Sequence, residues 1–68
     1  MDPQAYAIIE ANRVWLRKQM NELADHLALG GAKDWAEYQH LVGKVMAFAE
    51  AERELITLQE LAERESSK

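Results

Sequence analysis

Proline occurs once in this chain, at Pro3, and two of its three glycines stand side by side at Gly30 and Gly31. Apart from Gly43, nothing else in the sequence breaks a helix. Punctuation of this kind leaves two long uninterrupted stretches with one turn between them. Asp2-Pro3 reads as a helix start, an acidic N-cap followed by proline at the first helical position. Gly30-Gly31 reads as a stop, because glycine takes the left-handed backbone cheaply. Asp34-Trp35-Ala36-Glu37 then carries the residues of a capping box, with Asp34 as N-cap and Glu37 at the third helical position. The expected elements are a helix over about 3–29, a turn at 30–34, a helix over about 35–65 and a frayed tail at 66–68.

The hydrophobic period agrees. Tyr6, Ile9, Arg13, Leu16, Met20, Leu23 and Leu27 follow alternating steps of three and four. So do Tyr38, Leu41, Val45, Phe48, Glu52, Leu55, Gln59 and Ala62, flanked by Val42, Ala49 and Ile56. Such a repeat favours left-handed knobs-into-holes packing, and a short connection makes the two helices antiparallel neighbours. No stretch alternates with period two, so strands are not expected. The fold class is therefore all-α: an antiparallel two-helix hairpin forming one domain.

Folding the chain at residues 30–34 pairs positions whose numbers add to about 65. Leu27 then meets Tyr38, Leu23 meets Val42, Met20 meets Val45, Leu16 meets Ala49, Ile9 meets Ile56 and Tyr6 meets Gln59. The two charged intruders, Arg13 and Glu52, fall at one level, and a polar layer with Arg13 bonded to Glu52 is expected. Gly43, inside the second helix, suggests close approach by another helix or by the ring of Trp15 or Trp35.

A hairpin of 68 residues has a small core, and there is no cysteine to supply a disulfide or a thiolate metal site. It also does not use all its apolar surface. Ala7, Ile8, Ala11, Val14 and Trp15 point away from the seam, and the stripe of the second helix drifts towards Ala51, Leu58, Leu61 and Ala62. These excesses lie at the open end of the hairpin and suggest one patch. Tyr6, Ile8, Ala11, Trp15, Leu58 and Leu61 are its candidate contact residues. A two-fold dimer making a four-helix bundle, or a larger helical oligomer, would cover them.

Charge is uneven. Residues 1–33 are balanced, and residues 34–68 carry the whole net charge of −4. Six acids lie between Glu50 and Glu65, with Glu50, Glu54 and Glu60 the candidate acidic face. That face is either a solvated surface or a docking surface for the basic patch of a host enzyme or nucleic-acid-binding protein. The acidic balance argues against direct nucleic-acid binding. No apolar run approaches a membrane span, the helices lack the basic polar face of an interfacial helix, and no signal-peptide pattern opens the sequence. A cytoplasmic location is expected.

Catalysis is not expected. Ser66, Ser67 and Thr57 are the only hydroxyl nucleophiles besides tyrosine, and none adjoins a histidine. Gly30-Gly31 lacks the spacing of a phosphate-binding loop. His26 and His40 are the only histidines. Glu37 and His40 stand three apart, as in bundle metal sites, while Glu22 and His26 stand four apart, so the second half of that motif is missing. A small metal-binding bundle at His26 and His40 is thus an alternative reading, and no metal or cofactor is expected.

The run Asp34-Trp35-Ala36-Glu37-Tyr38-Gln39-His40-Leu41-Val42-Gly43-Lys44-Val45 resembles short helical proteins of tailed bacteriophages. These proteins carry a glycine-bearing turn, an aromatic-acidic start, Tyr-x-x-Leu-Val-Gly and a helix ending in glutamates. The resemblance covers the middle third of the chain, and Ala47 stands where many have a second glycine. It implies a setting: a virion or assembly component, or an accessory protein directed at a host factor, in the virion or the host cytoplasm.

Overall fold

Asp2 starts the first helix as its sequence suggests. Its carboxylate accepts the backbone N–H of Gln4 at 3.3 Å, and Pro3 occupies the first turn, where a missing N–H is no loss. The computed structural model describes residues 2–66, and in it helix α1 runs Pro3–Ala28 and helix α2 runs Trp35–Ser66. There is no strand among the described residues. The second helix ends one residue later than the sequence suggested. The rest of the expected frayed tail, Ser67 and Lys68, lies outside the described residues.

The turn is built by glycine. Gly30 has φ +76°, in the left-handed region. Its N–H donates to Leu27 O at 3.1 Å, and the N–H of Gly31 donates to His26 O at 2.8 Å. Those two bonds make a Schellman ending, which satisfies carbonyls that the end of a helix leaves bare. Gly31 has a different reason to be glycine: a Cβ there would meet the His26 ring, which lies over it. Across the turn, Asp34 accepts the N–H of Glu37 at 2.8 Å. Glu37 reaches back, but to the N–H of Lys33 at 3.3 Å, one residue before the position a standard capping box uses.

The two helices pack against each other along their length, giving a rod of 52 × 15 × 12 Å. The long dimension is what a helix of 32 residues spans at about 1.5 Å per residue. The seam holds the expected residues. Leu16 and Leu41 are buried, and Ile9, Met20, Leu23, Leu27, Val42, Val45, Phe48, Ala49, Leu55 and Ile56 are half-buried beside them. Tyr6 and Tyr38, at the ends of the predicted seam, are more exposed. Two helices in contact cover only one stripe of each, so intermediate burial is the most that most seam positions can reach.

Gly43 departs from expectation. A Cβ at Gly43 would meet nothing within 4 Å, so neither Trp15, Trp35 nor the facing helix comes close. Its flexibility therefore weakens α2 without any compensating contact inside the hairpin. The two glycines should respond oppositely to alanine. Gly43→Ala is expected to stabilise by about 0.5–1 kcal/mol, the difference in helix propensity. Gly30→Ala is expected to destabilise by about 1–2 kcal/mol, because alanine must take the left-handed backbone. Urea midpoints of the two variants check both signs.

Candidate interaction surfaces

A regular helix turns by about 100° per residue, so sequence separation fixes which side chains share a face. Ile8, Ala11 and Trp15 are three, four and seven residues apart and fall within about 60° of one another on α1. On α2, Ala47, Ala51 and Leu58 are similarly related by steps of four and seven. The edge of the Trp15 ring stands on Phe48, with centroids 5.9 Å apart and planes at 78°. That contact places the two stripes on the same broad face of the hairpin. Ile8, Trp15 and Leu58 remain about half exposed on it, and Leu61 lies further round α2, equally exposed. Asn12, at the edge of the face, donates its amide to Ile8 O at 2.9 Å, so one of its polar groups is already satisfied by its own helix.

Tyr6 does not join this group. It precedes Trp15 by nine residues, two and a half turns, and so lies on the opposite side of α1. The six candidate contact residues therefore separate, with Ile8, Ala11, Trp15, Leu58 and Leu61 on one side and Tyr6 on the other. Val14 also belongs elsewhere: it lines a shallow groove with Glu10, Arg13, Arg17 and Glu52.

That groove is the polar side of the hairpin, and here the structure corrects the expected Arg13–Glu52 pair. Glu52 is bound by Arg17, whose Nε donates at 3.1 Å to one carboxylate oxygen while Nη2 donates to the other. Arg13 instead donates to Gln59 Oε1 at 3.4 Å and lies 3.5 Å from Glu10. The reason is the direction in which helical side chains lean. Each Cα–Cβ bond tilts towards the N-terminus of its own helix, so in an antiparallel pair facing side chains lean past one another. Arg13 and Glu52, level by their backbones, lean apart. Arg17 and Glu52 start about one turn apart and lean together, and Arg13 and Gln59, about two turns apart, also lean towards each other. Only the Arg17–Glu52 pair is bidentate, and Glu52 is largely covered while Arg17 is half exposed. The Nε of Arg13 is buried without a partner among the described residues.

Glu50, Glu54 and Glu60 are all exposed. Successive separations of four and six spread them over about 120° of α2, with Glu50 and Glu54 facing away from α1 and Glu60, five full turns after Val42, at the side of the seam. His26 covers Gly31 and His40 is exposed. Among the described residues no group of three or more His, Asp or Glu side chains is placed to hold a metal ion. No helix among them is long and apolar enough to cross a membrane.

The turn end carries a feature that sequence reasoning did not single out. Trp35 and Tyr38 stack with centroids 5.4 Å apart and planes at 16°. With Leu27, Gly30, Ala32 and Asp34 they line an open cleft, and Leu29 beside the turn is almost fully exposed. The signal was a spacing of three between aromatic residues in the first turn of a helix, which puts the rings side by side. No protein-family model matches this chain, and the searches of curated proteins and of solved structures also found no match.

The crossed arginines give a direct test. A double-mutant cycle on Arg17 and Glu52 is expected to return about 0.5–1 kcal/mol of coupling, as for a partly exposed bidentate pair. The same cycle on Arg13 and Glu52 should return almost none. Chemical denaturation of the five variants and the parent checks both.

Proposed function

We propose that this chain is a non-catalytic interaction protein that self-associates through its open end, an accessory or assembly component of the phage type. One observation carries the reading. Among the described residues Leu16 and Leu41 are buried, while Ile8, Trp15, Leu58 and Leu61 are exposed towards the open end and Leu29, Trp35 and Tyr38 at the turn. Exposed apolar residues that share one face, as those of the open end do, are characteristic of surfaces that meet another protein. The grooves of the hairpin are open clefts at a salt bridge and at an aromatic pair, which suits contact better than enclosure of a small substrate. The resemblance over residues 34–45 supplies the setting, with the virion or the host cytoplasm as the place of action. A four-helix bundle is the simplest assembly, since it covers the face left open by each hairpin.

Sedimentation equilibrium from low micromolar to millimolar concentration, at low and high salt, tests this. A dimer or larger species that persists in high salt is expected. Trp15→Ala is expected to weaken it on the order of a hundredfold, the scale of losing a central aromatic anchor. Leu58→Asp should abolish it, and lysine at Glu50, Glu54 and Glu60 should be tolerated. A folded monomer at every concentration would overturn the reading. A salt-sensitive partner lost on the lysine substitutions would move the function to the acidic face.

A further inference from the structure

We propose that the Gly30–Gly31 turn is a topology switch. The same sequence has a second folded state, an antiparallel dimer of two continuous helices, in which α1 of each copy packs on α2 of the other through the seam that closes the hairpin. The switch does not use the Ile8–Trp15–Leu58 face, and it stands or falls apart from the self-association reading.

The phase of the seam is the first support. Tyr6, Arg13, Met20 and Leu27 on α1 are spaced by seven, and so are Leu41, Phe48, Leu55 and Ala62 on α2. Leu27 and Leu41 are fourteen residues apart, so one heptad series runs through the turn in step, with Asp34 midway. Two helices joined only by a loop need share no phase. The flanking series Val42, Ala49 and Ile56 likewise steps back by seven to Trp35. A helix continued through residues 29–34 carries a single seam from Tyr6 to Ala62.

The make-up of the turn is the second support. Leu29, Ala32 and Lys33 are good helix formers or neutral ones, and the segment has no proline and no β-branched residue. The chain is turned back by Gly30, at φ +76°, with Gly31 beneath the His26 ring. The seam joins one α1 to one α2, so each of its contacts, Arg17 with Glu52 included, can form equally between two copies. Contacts common to both states cancel, and the backbone at the two glycines decides between them. The open state also accounts for Trp35, which is 70% exposed in the hairpin because α1 ends at Ala28, before the level of that ring. Between continuous helices Trp35 stands opposite Gly30 of the other copy, a large ring facing a position with no side chain.

Gly30→Ala with Gly31→Ala removes the left-handed position and adds two helix formers. The balance is expected to move towards the open dimer by at least about a thousandfold. The chain has no cysteine, so Lys18→Cys with Glu50→Cys takes one pair of spin labels, both at exposed positions. Labelled chain is refolded from denaturant in an excess of unlabelled chain with the same turn, so that pulsed EPR reads distances within one chain. On neighbouring helices of a hairpin the labels are under about 30 Å apart. In the open state thirty-two residues of helix separate them by about 48 Å. The parent turn is expected to give the short distance, and the double-alanine turn the long one, with a dimer mass by sedimentation. A short distance in the double-alanine chain, whatever its mass, would overturn the switch; a dimer of that kind would leave association through the open end standing. A long distance at monomer mass, or loss of the helical circular dichroism, would overturn it equally, since the open state keeps the seam and needs a second copy to do so.

Discussion

Two helices can shield only one stripe of each other, and most properties of this molecule follow from that limit. A helix in a larger domain buries a face of 100° or more against several neighbours. Here each helix has one neighbour, so Leu16 and Leu41 are covered while Ile9, Val45 and Phe48 stay half open. The chain nevertheless carries enough apolar residues for more than one stripe per helix. The mismatch between what a hairpin can cover and what this one carries is the physical reason to look for a second surface.

The side chains that close the polar side illustrate how backbone level and side-chain contact differ. A register drawn from residue numbers places Cα atoms opposite one another. In antiparallel helices the side chains then lean in opposite directions, and a long arginine reaches a partner one or two turns from the one drawn. Arg17 gains a bidentate bond to Glu52 in this way, and Arg13 is left with longer contacts to Gln59 and Glu10. The polar layer expected in the seam is present in kind, with its partners exchanged.

Much of the fold could be read from residue types because the signals were local. Asp2-Pro3, Asp34 and the glycine pair act within a turn of themselves, and the seam follows from a period of three and four. What could not be read depended on neighbours. Gly43 suggested a close approach, yet the space beside it is open, because a glycine is equally compatible with contact and with none. Tyr6 was grouped with Trp15 by hydrophobicity and proximity in sequence, although nine residues put them on opposite sides. Five of the six candidate contact residues do share one side of the hairpin, since their spacings of three, four and seven carry the geometry with them. The Trp35–Tyr38 stack went unremarked because its two members had been assigned separate roles, one in a cap and one in the seam.

The hairpin is consequently two-sided. One face is stitched by Arg13, Arg17, Glu52, Gln59 and Glu10, groups that bond within the chain, with Arg17 half exposed to water. Burying that face would require removing water from charges already paired, which costs more than it returns. The other face presents Ile8, Ala11, Trp15, Ala51 and Leu58, with Asn12 partly satisfied by its own backbone. Its desolvation carries little penalty and recovers hydrophobic free energy in proportion to the area covered. The Trp15 side is therefore the side whose burial would cost least, and the arginine side the one that solvent favours.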